Sequence, residues 1–366
     1  MNISALIEGA AQVKASDIHL MEECAPYFRL DGELTPVKHP PLTHEDMLVV
    51  VNELVPERLR EVLEKRRGVD LGFKHKDVVR LRLIVYYERQ RIRMVFRLIP
   101  LTIPTLEQLN LPPVVQTIAT FNRGMVLVTG PTGSGKSTTL SAVIHYINSH
   151  DRVSITTIED PIEFVHTNMM GMVTQREVGE DVLDFNSGVI QALRQDPDVI
   201  LVGEMRDTDT IRTAIKASET GHYVLSTLHT TNAIQTMERV IGTFPQAEQD
   251  LVREQLASNL RASITQTLVR RAEGKGRAAA LEVLVVTGTV SKLISENRLR
   301  DIYGVMQGGE EGMMTCDQAL AKLVREKIIA EEEGLQYARD EFAYKRYIKG
   351  VSSSNDRGGI IAGFGG

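Results

Sequence analysis

The stretch Gly130-Pro131-Thr132-Gly133-Ser134-Gly135-Lys136-Ser137-Thr138 follows the apolar run Met125-Val126-Leu127-Val128-Thr129. A buried strand, a glycine-rich turn and the start of a helix, in this order and at this spacing, are typical of a P-loop. Its glycines lack a Cβ, so backbone N–H groups can turn inward around a phosphate at the positive end of the following helix. A turn that merely joins a strand to a helix is the alternative, but the complete motif favours a nucleoside triphosphate site.

The residues expected to bind the nucleotide are Thr132, Gly133, Ser134, Gly135, Lys136, Ser137 and Thr138. Lys136 is expected to reach the β- and γ-phosphates, and the Ser137 hydroxyl is expected to ligate Mg²⁺. The expected cofactors are therefore ATP and Mg²⁺.

The 366 residues are enough for two domains, with room for a small third element. Hydrophobic residues make up 42% of the chain and charged residues 25%, which is typical of a soluble globular protein. The formal net charge of −6 argues against broad nucleic-acid binding, although a local basic groove stays open. We therefore expect no direct nucleic-acid partner.

The sequence has no run of about eighteen apolar residues, and its N-terminus lacks a basic stretch followed by an apolar one. This pattern predicts a cytoplasmic protein, or one that only its partners hold at a membrane. Cys24 and Cys316 lie far apart without CxxC spacing, which predicts free thiols rather than a disulfide or a metal site.

Residues 1–100 are expected to form an independent α+β domain. A helical pattern opens it, alternation over Ser16-Asp17-Ile18-His19-Leu20 predicts a strand, and Asp31-Gly32 predicts a hairpin turn. Thr43 is expected to cap the next helix, with Asp46 completing a capping box.

Two long strands are predicted between Val78 and Ile99, and each has arginines on one face. Arg80 and Arg82 share a face of the first strand, and Arg93 and Arg97 share a face of the second. Such a face is either solvated or turned toward an anion. Spacing alone favours solvation, because charge on a strand face is usually in contact with water.

Residues 101–113 are expected to link two domains, because the segment from Pro100 to Pro113 has four prolines and little helical pattern. The second domain is expected over residues 114–349. The Gly/Ser-rich tail, residues 350–366, is expected to be flexible.

Beyond the linker, short apolar runs alternate with helical patterns, which predicts a mostly parallel sheet with helices on both faces. The expected strands cover residues 125–129, 153–158, 199–202 and 223–227. The expected helices cover residues 137–149, 185–194, 208–220 and 232–241. The C-terminal third is expected to be helical, because Leu256, Leu260, Ile264 and Leu268 recur at helical spacing.

Polar residues follow three of these strands, and open α/β sheets bind ligands at the carboxyl ends of their strands. The three clusters are Glu159-Asp160-Pro161-Ile162-Glu163, Gly203-Glu204-Met205-Arg206-Asp207 and Thr227-Leu228-His229-Thr230. Taken singly each signal is weak, because an acidic residue at a strand end is often a helix cap and a lone histidine is often structural. Three clusters behind one P-loop argue against coincidence.

We expect Glu204 to orient the attacking water and accept its proton, while Ser137, phosphate oxygens and waters hold the metal. Glu163 and Glu159 are expected to support the water shell of the metal. His229 is expected to sense or hold the γ-phosphate.

These motifs together resemble the secretion-ATPase superfamily, whose boxes occur here in the same order. They are the Walker A box at Gly130–Thr138, the Asp box at Ile158–Glu163, the Walker B box at Arg194–Asp207 and the His box at Thr220–Asn232. Ser16-Asp17-Ile18-His19-Leu20, and Gly312-Met313-Met314-Thr315 followed by Asp317-Gln318-Ala319-Leu320, are similar to type IV pilus retraction ATPases of the PilT and PilU kind.

The resemblance implies an α/β chain with a PAS-like N-terminal α+β domain and a RecA-like P-loop NTPase domain, with ATP bound between them. It further implies a homohexameric motor that hydrolyses ATP to power type IV pilus retraction and twitching motility. The implied partners are the pilus machinery and its inner-membrane platform protein. Such a motor would be cytoplasmic and peripheral at the cytoplasmic face of the inner membrane.

The resemblance also changes the interpretation of the arginine strands. In this family, two arginines at positions matching Arg82 and Arg97 approach the phosphates as arginine fingers, with Arg89 a weaker candidate. A cation added to the transferring phosphoryl group only when domains close would couple hydrolysis to rigid-body motion.

Two departures from the family's patterns bear on the direction of work. The longer N-terminus and four-cysteine zinc element of extension ATPases are missing, which favours retraction. Retraction enzymes often have an arginine-containing helix near residue 290, whereas Thr289–Glu296 keeps its apolar spacing without arginines. A slow accessory ring subunit that assists a retraction paralogue, or a motor for secretion or DNA uptake, therefore stays an alternative.

Overall fold

The computed structural model of the chain describes residues 1–30, 32–99 and 101–351. The chain divides into two compact units. The first comprises Met1–Ile103 and Pro161–Val165, and the second comprises Pro104–Asp160 and the described chain from His166 onward. Asp31 of the predicted hairpin turn and residues 352–366 of the predicted flexible tail lie outside the described residues.

The elements of the first unit are α1 (Ile3–Gln12), β1 (Asp17–Met21), β2 (Tyr27–Leu30), β3 (Glu33–Pro36), α2 (His44–Leu54), α3 (Glu57–Arg66), β4 (Gly68–His75), β5 (Val79–Glu88) and β6 (Arg91–Ile99). The strands form one six-stranded sheet in the order β3-β2-β1-β6-β5-β4. All neighbouring pairs in it are antiparallel. α3 and β4 were not predicted from the sequence.

Local sequence signals account for much of the first unit. The capping box of Thr43 and Asp46 is confirmed, with both reciprocal hydrogen bonds present at the start of α2. Arg89 and Gln90 both have positive φ, which gives the β5–β6 hairpin a turn whose twist matches that of its strands. Alternate β5 residues, including Leu81 and Leu83, are fully buried and pack with the helices in one apolar core.

The elements of the second unit are α4 (Pro113–Ala119), β7 (Gly124–Thr129), α5 (Lys136–His150), β8 (Ser154–Glu159), β9 (Met172–Glu177), α6 (Phe185–Ala192), β10 (Val199–Val202), α7 (Thr208–Glu219), β11 (Tyr223–Leu228), α8 (Ala233–Gly242), α9 (Gln246–Asn259), β12 (Leu260–Arg270), β13 (Arg277–Val285), α10 (Gly288–Ser295), α11 (Ile302–Gln307), α12 (Cys316–Arg325), α13 (Glu331–Leu335) and α14 (Glu341–Ile348). Short 3₁₀ turns occur at Leu299–Asp301 and Glu310–Gly312.

The sheet of the second unit has the order β13-β12-β7-β11-β10-β8-β9. It is parallel except for the β12–β13 pair, so the predicted mostly parallel sheet is confirmed. β7 is buried along its whole length, and its side chains enter an apolar core on each face of the sheet. Met125 and Leu127 join the core on one face, and Val126 and Val128 join the core on the other, as helices on both faces require.

The expectation of a helix through Leu260, Ile264 and Leu268 is wrong. Helix α9 ends at Asn259, and these leucines and the isoleucine lie on strand β12, between β7 and β13. A spacing of four residues is even, so it places side chains on one face of a strand as well as on one face of a helix. The β-branched residues between Ile264 and Val269 favour the strand.

The remaining C-terminal segments are short helices. Val290, Leu293 and Ile294 are buried on α10, and Leu320 is buried on α12. Among the described residues, no helix combines the length and the apolar character needed to span a membrane.

Candidate nucleotide-hydrolysis site

The P-loop connects the end of β7 to the first turn of α5, and its shape depends on glycine. Gly130 and Gly135 have φ values of +140° and +89°, which residues with a Cβ rarely adopt. A Cβ on Gly130 would lie 2.4 Å from the carbonyl oxygen of Gln266, and one on Gly135 would lie 2.7 Å from the Gln266 Nε2. The loop therefore packs so closely on β12 that only glycine fits at these two positions.

The side chain of Lys136 folds back over this loop. Its Nζ donates to the carbonyl oxygens of Gly130 at 2.9 Å and Pro131 at 3.1 Å, and the residue is only 8% exposed. Thr132, Gly133 and Ser137 are exposed at the mouth of the loop, and Thr138 is half-buried behind them. The lysine is thus held beside the main chain that would surround a phosphate.

The residues present fit a phosphate ligand with its metal. The Ser134 hydroxyl is buried in the loop without a hydrogen-bond partner, a cost that proteins usually avoid. In the described part of the chain, no group of three or more His, Cys, Asp or Glu side chains could hold a metal ion by itself. A metal here would depend on one hydroxyl and on ligand oxygens, as Mg²⁺ at phosphate sites commonly does.

No role was predicted for Gln266, because the sequence around it was expected to form a helix. From β12 its Nε2 donates to the Ser134 carbonyl at 2.8 Å, and its Oε1 accepts from the Thr139 hydroxyl at 2.7 Å. Thr265, next to it, pairs its hydroxyl with that of Thr129 at 2.8 Å. Gln266 therefore joins the P-loop to the first turn of α5, a role that only the pairing of β12 with β7 reveals.

Glu204, Arg206 and His229 form what we call the strand-end cluster. Glu204 follows β10, and His229 follows β11, the parallel neighbour of β10. The Glu204 Oε1 lies 3.0 Å from the His229 Nε2, and the Glu204 Oε2 lies 2.7 Å from a guanidinium nitrogen of Arg206. The structure thus brings together the predicted Glu204 and His229, and it adds Arg206, to which no role was assigned.

The environment of Glu204 favours its ionised form. Burial by itself would raise the pKa of the carboxyl, but the hydrogen bond and charge of Arg206 and the proximity of His229 hold the pKa below its usual value. Arg206 in turn has a raised pKa, mainly because of its hydrogen bond to Glu204, with Asp160 adding to the effect. A carboxylate that stays ionised at neutral pH can accept a proton.

The two other predicted carboxylates occupy different surroundings. Glu159, at the end of β8, accepts hydrogen bonds on Oε1 from the Thr157 hydroxyl at 2.6 Å and the Gln175 amide at 3.0 Å. These bonds fix Glu159 between β8 and β9. Glu163 lies in the segment Pro161–Val165, which clusters with the first unit rather than with the P-loop sheet.

The predicted arginine fingers are paired with carboxylates of their own unit. Arg82 Nη2 lies 2.6 Å from Asp70 Oδ2, and Arg97 Nε lies 3.1 Å from Asp17 Oδ1. The two arginines are direct neighbours across the β5–β6 pair. Arg89, the weaker candidate, is part of the hairpin turn.

Comparison with known proteins agrees with this geometry. The model of the family described as Type II/IV secretion system protein matches residues 1–336. The type IV pilus retraction ATPase PilT of Pseudomonas aeruginosa is 41% identical, over 93% of this chain and 98% of its own. A twitching motility protein of Neisseria gonorrhoeae is 43% identical, over 87% of this chain and 85% of its own.

A crystal structure of the pilus retraction motor PilT with bound ADP superimposes with a TM-score of 0.88 at 40% identity, covering 94% of this chain and 99% of that one. The mixed α/β architecture with its parallel sheet is therefore the RecA-like fold of these ATPases. The chain belongs to the type II/IV secretion system protein family and, within it, to the PilT- and PilU-like secretion ATPases.

Proposed function

We propose that this chain is a motor ATPase that assembles as a homohexameric ring and powers retraction of type IV pili. The observation that carries the proposal is Glu204, held ionised just after strand β10 of the sheet whose strand β7 leads into a complete P-loop. The name of its relative in Pseudomonas, a pilus retraction ATPase, supports the direction of the work, and the name of its relative in Neisseria supports a role in twitching motility. A binding-only module would need Lys136 but would have little use for the strand-end cluster.

In this proposal the P-loop binds the triphosphate. Main-chain N–H groups from Thr132 to Thr138 surround the phosphates, and Lys136 leaves its loop carbonyls to contact the β- and γ-phosphates. The Ser137 hydroxyl, together with phosphate oxygens, would hold Mg²⁺, which would supply charge neutralisation at the transferring phosphoryl group. Glu159, fixed by Thr157 and Gln175, supports the surrounding water.

Glu204 acts as the base. It orients the attacking water and takes its proton, which requires one carboxylate oxygen to be released from its present partner. His229 is the partner proposed to leave, because Arg206 carries a permanent charge that keeps hold of the other carboxylate oxygen. When it turns toward the γ-phosphate it reports that ATP is present. Glu163 is assigned to the same water network because it belongs to the polar cluster that follows β8 in the sequence.

Arg82 and Arg97 are proposed to stabilise the transferring phosphoryl group. For this they exchange Asp70 and Asp17 for phosphate oxygens, so each arginine has one carboxylate that holds it in the absence of nucleotide. Such an exchange would couple hydrolysis to movement of the first unit and, through the ring, to extraction of pilin subunits. The proposed partners are the inner-membrane platform protein and the pilus machinery, reached from the cytoplasmic face.

One observation favours a second candidate, an accessory ring subunit that works with a retraction paralogue. Helix α10 keeps the buried apolar face formed by Val290, Leu293 and Ile294, but Ser291 and Ser295 stand where the family resemblance implies arginines. A surface used for partner binding can change in this way without any effect on the fold.

The test is deletion of the gene, followed by counting surface pili and scoring twitching. We expect excess pili without movement, because pili would form and not be withdrawn. Bald cells would contradict retraction and indicate extension instead. Normal twitching that is lost only when a paralogue is also deleted would favour the accessory subunit.

A further inference from the structure

A buried carboxylate outside the strand-end cluster joins three parts of the second unit. Glu282 lies on β13 and is 2% exposed. Its Oε1 accepts from the backbone N–H of Ala233, the first residue of α8, at 2.7 Å, and its Oε2 accepts from Arg339 Nη1 at 2.6 Å. Burial raises the pKa of Glu282, and the charge of Arg339 opposes that shift.

Arg339 is fixed from two sides. Its backbone N–H donates to Asp317 Oδ1 at 2.7 Å, and Asp317 is fully buried on α12. Its guanidinium contacts Glu282 through Nη1, and through Nη2 it donates to the carbonyl oxygen of Thr231. One side chain therefore connects the C-terminal helices to the main chain of a loop.

That loop, residues 229–232, carries His229. It begins where β11 ends and leads into α8, whose N-cap is Asn232. The Arg339 and Glu282 pair holds it at the Thr231 carbonyl and at the Ala233 N–H, both within four residues of His229. The Glu282 side chain is 2% exposed and that of Arg339 is 30% exposed. An ion pair with one charge buried gains little stability over an apolar pair of similar volume, so stability alone accounts poorly for it.

We propose that Arg339 is a positioning residue that fixes the loop bearing His229 and thereby ties hydrolysis to the placement of the C-terminal helices. The inference rests on the proposed function, in which His229 and Glu204 act during hydrolysis. Arg339 touches neither of them and acts through the loop. A displacement of the segment between α13 and α14 would change the tie at Thr231 and so alter the turnover rate.

The discriminating variant is Arg339→Lys. Lysine keeps the charge beside Glu282, but it lacks the planar fork that contacts Glu282 and Thr231 together. We expect kcat to fall by about tenfold to a hundredfold, as for a displaced catalytic group, with the affinity for ATP unchanged. The matched control is Arg325→Lys, at an exposed arginine of α12, which should hydrolyse ATP like the wild type.

The role through His229 is tested in a double-mutant cycle. In a His229→Ala background, Arg339→Lys should cause no further loss of kcat, because its effect passes through the histidine. A loss that adds in full to that of His229→Ala would overturn the inference, and so would a wild-type kcat in Arg339→Lys alone.

Amide hydrogen exchange gives a readout that does not depend on activity. Arg339→Lys should speed exchange of the Ala233 amide and of its neighbours in the loop, and Arg325→Lys should not. If the wild type fails to hydrolyse ATP, the proposed function fails, and exchange still decides whether Arg339 fixes the loop that bears His229. If Arg339→Lys unfolds the protein, the double variant Glu282→Gln with Arg339→Met removes both charges together and should show the same faster exchange. Unchanged exchange in these variants would contradict the tie.

Discussion

The P-loop and the strand-end cluster both follow strands of one sheet, but the first consists mainly of main-chain groups and the second of side chains. The P-loop uses main-chain groups, two glycines that no other residue could replace, and a lysine held by loop carbonyls. The strand-end cluster uses the side chains of Glu204, Arg206 and His229, whose rotatable bonds allow a change of partner. A main-chain site is suited to holding the constant part of a ligand, and a side-chain site is suited to changing during a cycle.

The difference predicts a division of labour that mutations can separate. Changes in the strand-end cluster should alter turnover and leave ATP binding intact. Changes in the β12 residues that support the P-loop should alter ATP binding and stability together, because Gln266 of β12 holds the loop by a hydrogen bond.

The largest effect is expected for Glu204→Gln. The amide keeps the size of the side chain but cannot accept a proton, so kcat should fall by roughly 10²-fold or more, the range typical of a lost general base. ATP affinity, measured by equilibrium titration, should stay near that of the wild type. Glu238→Gln, at an exposed glutamate of α8, is the matched control and should be fully active. Equal turnover in all three proteins would remove Glu204 from the mechanism.

A smaller effect, on stability and binding, is expected for Gln266→Leu. Leucine fills the space but leaves the Ser134 carbonyl and the Thr139 hydroxyl without their partner. Each unsatisfied buried group costs about 1–3 kcal/mol, so the free energy of unfolding in urea should fall by at least that amount. ATP affinity should fall with it.

Gln116→Leu provides the comparison for Gln266. Gln116 donates to the Tyr146 hydroxyl on the surface of α4, and its loss should change stability by only about 0.5 kcal/mol or less. If the free energy of unfolding falls by the same small amount in both variants, Gln266 does not support the P-loop.

The same contrast explains what could be predicted from the sequence. The P-loop was predicted in full, because its main-chain geometry requires glycine at fixed spacing. Glu204 and His229 were predicted from a rule about parallel strands, and their proximity is confirmed. Arg206 was quoted within its cluster but given no role, since nothing local distinguishes its ion pair from that of an exposed arginine.

Residues that act across distant strands could not be predicted. Gln266 supports the P-loop from 132 positions along the chain, and its strand was expected to be a helix because a spacing of four fits both. Arg339 contacts the His229 loop from 108 positions away. Such contacts depend on strand order and on the placement of the last helices, neither of which has a signature in the neighbouring residues.

The smallest effect is expected for Arg206→Gln in the strand-end cluster, and it should depend on pH. Because the folded-state pKa of Glu204 is lowered, its ionised form stabilises the fold fully above the unfolded-state pKa, and this contribution is lost as pH falls through the folded-state value. Arg206→Gln removes the guanidinium that contributes to this shift. The variant should therefore be less stable than the wild type at pH 7, by at most about 1 kcal/mol, because the Arg206 side chain is 65% exposed and solvent screens its charge. Urea unfolding between pH 7 and pH 3 should show that the difference in the free energy of unfolding between the two proteins becomes smaller as the pH falls. A difference that stays constant would mean that Arg206 does not act through the charge of Glu204.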